Sequence, residues 1–557
     1  KSVQTRSTVA GESKRPGQAR ARGVASAAPP PASVTLGGRR GVGVMGDRVA
    51  PPPAPERRLA VIDMGSNTFR LVVFRYRRGG SFQLVDEIRD AVRLSAGAGP
   101  KGLRPEAVAR AERAARLYAA FCRATGIEEV DALATSAVRD AANQRAVLRA
   151  LGAGGALPVR VLSAEEEAWY GYLGAVNSTT LGDGHVIDLG GGSAQVTEVR
   201  GRRLQRSISR PLGAVRMTEA FLPDEKASRG QTKALRRHVA EAVADAGWIR
   251  PAGGRAAGIG GTIRTLAAMD QRRAGYPLDE LHGYRLRREA VEALVGDMAA
   301  LPARERSRLP GLKPDRADIT LAGAIVVSEL LGAIGADEVE VCAQGLREGV
   351  FYERFLAPAD PPLVPDVRRQ SVMNLVAAFR CDVPHSEHVA ALATGLYDEL
   401  ARVGLQGVDR RERELLWAAG MLHDAGVLVD YNDHHKHGHY LVLNAGLPGF
   451  GHAELALVAL LVRGHRKALP TVEGYEDVLG PEDAGRLDRL AACLRVAEQL
   501  ERGRARGVRE VRAQAVDGVA RLLVRAEDDP SVALWSAGLE APAFERAFGR
   551  GLELAEA

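Results

Sequence analysis

One pattern occurs twice in this chain, and it limits the available folds more than any other feature. Val186-Ile187-Asp188-Leu189-Gly190-Gly191-Gly192-Ser193 is an apolar strand, an aspartate near its end and a glycine turn, followed by a second strand from Gln195 to Val199. Val61-Ile62-Asp63-Met64-Gly65-Ser66-Asn67-Thr68 repeats the arrangement, with its second strand from Phe69 to Phe74. Consecutive glycines let a backbone approach a ligand closely and aim several N–H groups at one spot, which suits phosphate oxygens. Ser193 adds a hydroxyl, and Asp188 supplies the charge to hold a divalent cation against those phosphates. One such turn would read as a plain hairpin. Two predict a duplicated domain whose phosphate-gripping turns face each other across a cleft.

The net charge of +7 points toward nucleic acid only until it is located. Residues 1–44 hold eight Lys/Arg and one acid, which is the whole excess. The rest of the chain is near neutral, so anions must be held by local sites, and nucleic acid is not an expected partner. Residues 1–56 are rich in Arg, Ala, Gly, Ser and Pro and read as a disordered basic extension. Their acid-poor start imitates an organelle transit peptide. Met45 stands shortly before the first strand, which favours reading residues 1–44 as upstream sequence. No run approaches the roughly 18 apolar residues of a membrane span. Cys122, Cys342, Cys381 and Cys493 lie far apart with no paired spacing, which fits a reducing, cytoplasmic setting.

Between and after the hairpins the chain alternates strands with helices. Pro105 to Thr125 has the spacing of an amphipathic helix, and Asp131 to Ala134 that of a short strand. This strand runs into Thr135-Ser136-Ala137-Val138-Arg139, where Arg139 could clamp a phosphate or form a surface ion pair. In Leu162-Ser163-Ala164-Glu165-Glu166-Glu167, Ser163 and Glu166 form a capping box. That explains Glu166 structurally and leaves Glu167 free to face a cleft and accept a proton from water. Acids are also favoured in a first helical turn for their own sake. Gly258-Ile259-Gly260-Gly261-Thr262 is a third glycine turn, and Gln344 to Gly349 a fourth.

A proline-rich linker, Ala357 to Pro365, precedes a different region. Residues 366–557 read as helical and hold nine of the 12 histidines, all between His385 and His465. His423-Asp424 ends an apolar helix from Leu415 to Leu422, and His434, His435, His437 and His439 follow in an expected loop. An adjacent His-Asp with distant histidines is a metal-ligand pattern of helical phosphohydrolases, though clustered histidines can equally bind phosphate or fill a polar interface.

The motifs IDMGSNTFRLVVF, ATSAVRDAAN, LSAEEEAWYG, VIDLGGGSAQV and GIGGT occur in that order, and together they resemble the exopolyphosphatase/guanosine-pentaphosphate phosphohydrolase (Ppx/GppA) family. The resemblance covers roughly residues 57 to 505 and implies an α/β protein. Two actin-like (ribonuclease H-like, ASKHA) domains, 57–180 and 181–357, are followed by a linker and an all-α HD-like domain from 366. It implies Mg²⁺-dependent (or Mn²⁺-dependent) hydrolysis of terminal phosphoanhydrides, with polyphosphate or guanosine pentaphosphate as substrate, and a homodimer. By the same resemblance Glu167 is the catalytic glutamate, and Asp188, with Asp63 at the equivalent place, is associated with the metal. Phosphate falls to Ser66, Asn67, Thr68, Arg139, Gly190, Gly191, Gly192, Ser193, Gly260, Gly261 and Thr262. His385, His423, Asp424 and Glu498 match the HD-like ligand positions, which leaves a second metal site open. One departure stands out. The family usually has Glu two residues after the loop serine, and this chain has Gln195, an amide that is a weaker cation ligand. A protein that binds polyphosphate or alarmone without turnover is therefore a rival reading.

Overall fold

The computed structural model describes residues 55–152, 157–249 and 254–557. The basic extension expected over 1–56 lies almost wholly outside them. Three sheets organise the chain. The first has the order β3-β2-β1-β4-β5, from β1 (Arg57–Met64), β2 (Phe69–Tyr76), β3 (Phe82–Asp90), β4 (Glu129–Ala134) and β5 (Val159–Val161). The second comprises β6 (Gly184–Leu189), β7 (Ala194–Arg200), β8 (Arg203–Arg210), β9 (Ala256–Ile259), β10 (Arg285–Arg287) and β11 (Glu338–Val341). Read from β8, its order is β8-β7-β6-β9-β11-β10. The duplication expected from the hairpins is visible here. In each sheet two strands lead by antiparallel pairing to a central third, which then pairs in parallel with the next: β1 with β4, and β6 with β9.

The central strands are buried on both faces, which is why they read as nearly unbroken apolar runs. On β1, Ala60, Ile62 and Met64 pack with the Pro105–Ala124 helix, while Leu59 and Val61 join a separate core with Val350, Phe351 and Phe355. The latter come from the Leu346–Leu356 helix, far along the chain, which returns to cover the first sheet. Conversely, the Ala164–Val176 helix packs against β6, β7, β8 and β9 of the second sheet. Across the 180/181 sequence boundary the two halves thus exchange a helix.

These two helices cross at very short range. A Cβ on Gly174 would lie 2.3 Å from the Gly345 carbonyl oxygen, and one on Gly349 would lie 1.9 Å from that of Tyr170. Only glycine fits at either position. The crossing brings the first turns of both helices, carrying Glu167 and Arg347, to the same end of the cleft.

The linker is ordered rather than loose. Asn177 donates from Nδ2 to the Pro362 carbonyl and accepts at Oδ1 from the Val364 N–H. Beyond it stand helices Val367–Ala378, Val383–Arg402, Arg410–Leu422, His434–Ala445, His452–Gly464 and Asp483–Leu500. The histidine run placed in a loop by sequence is the start of a helix, with Asp433 at its cap position. After Leu500 the chain adds a sheet that composition did not signal: β12 (Val508–Val516), β13 (Val519–Ala526) and β14 (Gly551–Glu556), with helices Ser531–Gly538 and Ala541–Phe548. Ala513, Leu522, Val524 and Phe544 join the same core as the preceding helices. The helical region touches both earlier halves: Asn374 Oδ1 accepts from the Phe82 N–H of β3, and the Tyr276 hydroxyl, just after the Gly261–Ala274 helix, meets His452 at 3.0 Å. No helix among the described residues is long and apolar enough to cross a membrane.

Candidate active site

The turns after β1 and β6 face each other as expected. Ser66 and Ser136 approach at 3.5 Å between hydroxyl oxygens, and a Cβ on Gly192 would lie 2.6 Å from Ser136 Oγ and 2.9 Å from Ser66 Oγ. Between the turns lies a cleft of about 150 Å³. Asp63, Ser66, Asn67, Thr68, Glu167 and Asp188 line it, with Gly190, Gly191, Ser193, Gly260 and Gly261. The Gly260 turn is tightly specified: its φ is 104°, and a Cβ would lie 2.4 Å from the Leu189 carbonyl oxygen.

Three of the residues expected to hold phosphate do not line this cleft. Gly192 faces the adjoining cavity beside Ser95 and Arg216. Thr262 is buried, because it sits inside the Gly261–Ala274 helix and packs on Gly323. Arg139 lies behind the site, where its Nη1 donates to Glu167 Oε2 at 2.8 Å and to the Leu162 carbonyl at 3.1 Å. The guanidinium expected to clamp substrate is therefore occupied by the candidate base.

The capping box formed as read. Glu166 Oε2 accepts from the Ser163 N–H at 2.8 Å, and Ser163 Oγ accepts from the Glu166 N–H at 3.1 Å. Glu167 turns inward and is buried. Burial raises its pKa above the ordinary carboxylate value, against the lowering effect of the Arg139 hydrogen bond. Burial likewise raises Asp63, opposed by Arg347 and Arg70. Asp188 is pushed up to about 7 by burial and by the negative charges of Glu167 and Asp63. Three carboxylates thus crowd one end of a small cleft, and their oxygens are the donors that a hard divalent cation takes.

Four arginines complete the lining, Arg70, Arg264, Arg316 and Arg347, and the sequence singled out none of them as a site residue, although Arg264 and Arg347 lie in or beside the third and fourth glycine turns. They come from β2, the Gly261–Ala274 helix, the short turn Pro314–Arg316 and the Leu346–Leu356 helix. Arg70 and Arg316 are both lowered to about 10, chiefly by burial and then by neighbouring guanidinium charge. Arg264 is also lowered by burial and by Arg347. Arg347 lies 3.5 Å from Asp63, and the Nε atoms of Arg316 and Arg347 are buried without a hydrogen-bond partner. Cations packed this closely repel one another, and orphaned buried donors cost free energy, so the arrangement suits a multiply charged anion.

Gln195 stands opposite Asp188 in the β6–β7 register, the position that Arg70 holds opposite Asp63 in the first hairpin. Its Nε2 donates to Ser193 Oγ at 3.0 Å and reaches Ser209 Oγ at 3.3 Å. Ser193 thereby accepts, and its own proton is free to point toward a ligand oxygen.

Residues 72–357 match the model of the Ppx/GppA phosphatase family, and residues 367–530 match Ppx/GppA phosphatase, domain III. Among solved structures, the Ppx/GppA family member of Aquifex aeolicus is 27% identical, covers 53% of this chain and 97% of its own, and superposes with a TM-score of 0.46. An exopolyphosphatase from Cytophaga hutchinsonii ATCC 33406 is 22% identical, covers 54% and 98%, and gives 0.49.

Proposed function

The chain belongs to the Ppx/GppA phosphatase family and is a phosphatase-type hydrolase, and from that premise we propose that its cleft releases terminal orthophosphate from inorganic polyphosphate. The observation that carries this reading is the lining itself: four arginines and two glycine turns converge on a space of about 150 Å³ that also holds a buried glutamate. A linear polyanion enters such a site end first, because the walls neutralise its charge and the space admits only its tip.

In this reading the two turns and the arginines hold the terminal phosphoryl group, where charge develops as the bond to the next phosphate breaks. Glu167 aligns a water and takes its proton. The water oxygen forms the new bond to phosphorus, and the shortened chain leaves as an anion. General-base action of this kind is worth about 10² to 10⁴ in rate, so positioning and charge stabilisation supply the rest. Arg139 acts through Glu167, holding it in place and favouring its ionised form. Asp188 and Asp63 would hold Mg²⁺ or Mn²⁺, which when bound supplies positive charge to the phosphoryl oxygens.

A second cavity favours a related reading. It has a volume of about 510 Å³ and shares Arg70, Arg264, Gln344 and Arg347 with the cleft; Phe82, Tyr352, Gln370 and Asn374 line its far side. Aromatic rings and side-chain amides suit a nucleoside, so guanosine pentaphosphate is the alternative substrate at the same site. The test is initial phosphate release from long-chain polyphosphate and from guanosine pentaphosphate, with and without Mg²⁺. Faster Mg²⁺-dependent release from polyphosphate supports the first reading, and preference for the nucleotide supports the second. Tight binding of either compound without release would make the protein a binder and overturn both.

A further inference from the structure

The cleft between the sheets opens at two ends. On one side it shares Arg70, Arg264, Gln344 and Arg347 with the cavity of about 510 Å³. On the other it shares Ser66, Ser136 and Gly191 with a cavity of about 370 Å³. The two outer cavities have no described lining residue in common, so the cleft stands between them.

The two sides differ in charge. Three of the cleft's four arginines belong to the first. The second carries one, Arg216, against two carboxylates, Asp140 and Glu219. All three are tied. Arg216 donates from Nη2 to Asp140 Oδ2 at 3.0 Å and from Nε to the Gly192 carbonyl at 3.1 Å, and Glu219 Oε1 accepts from the Gly97 N–H at 3.1 Å. A polyanion is drawn to the first side and kept out of the second.

Bond breaking leaves the product against the second side. The attacking water and the leaving oxygen lie in line, on opposite faces of the phosphorus. With the chain held among the arginines, the water and its base belong toward the other end. Glu167 is held there by Arg139, on the one-turn helix Ser136–Arg139 whose first residue lines the second cavity. The freed orthophosphate therefore lies between the remaining chain and that cavity. It cannot pass the chain without displacing it. Parting the two halves would break Arg89–Asp315 at 2.6 Å and Arg93–Asp318 at 3.3 Å, and would free the chain as well.

The way into the second cavity is narrow but not walled. The Ser66 and Ser136 hydroxyls stand 3.5 Å apart, and Gly192 meets them with bare backbone, where a Cβ would lie 2.6 Å from Ser136 Oγ. Hydroxyls rotate and act as donor or acceptor, which suits handing on an oxyanion. The Arg216–Asp140 pair beyond them is solvent-exposed, and such pairs are weak.

We propose that orthophosphate leaves through this second cavity, past Ser66, Ser136 and Gly192 and out beside Arg216, while the shortened substrate stays on the arginine side. The inference rests on the hydrolytic reading of the cleft and holds for either substrate. Its consequence is an order of release: orthophosphate departs first, and a remaining polyphosphate advances by one unit without dissociating.

Narrowing the second cavity away from the catalytic groups tests this. Ala98 and Ala142 line it and are exposed, so Ala98→Trp, Ala142→Trp and the double variant should fold, which circular dichroism checks. Each full-length protein is mixed rapidly with Mg²⁺ and long-chain polyphosphate, or guanosine pentaphosphate where that is cleaved instead. Acid quenching counts all phosphate cleaved, and a fluorescent phosphate-binding sensor counts only what is free. In wild type and Ala98→Ser the two signals should rise together. In the tryptophan variants the first phosphate should be cleaved at the wild-type rate and freed about tenfold more slowly. Free phosphate that keeps pace with cleavage in the folded double variant would overturn the exit route, as would a first cleavage slowed as much as the release. Should the double variant fail to fold, the single variants decide by the same criteria. A wild type that cleaves neither compound would overturn the hydrolytic reading itself and this route with it.

Discussion

The cleft between the sheets and the histidine cluster of the helical domain both gather titratable groups in buried space, but in opposite ways. In the cleft, four guanidiniums and the backbone of two glycine turns present positive charge and N–H groups, and three carboxylates crowd one end. Such a lining wants an anion, with a hard cation to bridge anion and carboxylate. In the cluster, His385, His423, His434 and His465 converge on Asp424, with Glu498 beside the first two and the Nδ1–H groups of the last three held by helix-end carbonyls. That lining wants a cation of intermediate softness. Burial alone therefore does not define a site's chemistry; the direction in which each dipole is pinned does.

Several perturbations break or sharpen this contrast. The largest expected effect is structural. Replacing Gly349 by leucine places a side chain against the Tyr170 carbonyl and separates the helices that deliver Glu167 and Arg347. Overpacking costs about 1–3 kcal/mol even in forgiving cores. Here the obstacle is backbone, so the soluble yield and unfolding midpoint should both collapse, whereas Gly296→Leu, with open space around it, should leave them unchanged.

Next comes the charge of the cleft. Arg264→Ala or Arg316→Ala removes charge-assisted contacts worth about 1.5–3 kcal/mol each. KM for polyphosphate should then rise about 10- to 100-fold. Arg139→Ala distinguishes a positioning residue from a clamp. Because its guanidinium bonds Glu167, kcat should fall about tenfold with KM little altered; a rise in KM at constant kcat would restore the clamp that sequence implied. Gln195→Glu puts a second carboxylate opposite Asp188. The Mg²⁺ concentration for half-maximal activity should fall several-fold.

The smallest effect concerns acid. His439 is held down to about 4 by burial and the charge of Arg463, below its ordinary value near 6.5. The unfolded chain takes up a proton as pH falls through about 6.5, and the folded chain does not until about 4. The stability this residue contributes is complete above pH 6.5 and is lost between 6.5 and 4. Thermal unfolding midpoints across that range should decline less steeply in His439→Gln than in wild type.

How much of this was legible in the sequence follows from how local each signal is. The two hairpins were readable because strand, aspartate and glycine turn are contiguous. Glu167 could be separated from Glu166 because a capping box is a four-residue device. The exchanged helices were not readable, since the Gly174–Gly345 and Gly349–Tyr170 contacts join residues far apart in sequence. Nor were the four arginines: each lies in a different element, and only the fold collects them. For the same reason the partner of Arg139 could not be read: a phosphate clamp and an ion pair were both open, and the fold sets its guanidinium against Glu167. In the helical region the His423-Asp424 pair was visible, but His434 and His465 were two among nine histidines until the helices set their spacing. The closing sheet β12–β14 follows a helical stretch of similar composition and gave no compositional break.

The most direct test of the central claim is the rate of orthophosphate release from long-chain polyphosphate with Mg²⁺, wild type beside Glu167→Gln, both confirmed as folded. The account predicts release by wild type and a fall of about 10² to 10⁴ in the variant. Release that persists undiminished in Glu167→Gln would contradict it, and would move the hydrolytic chemistry out of the cleft and toward the histidine cluster.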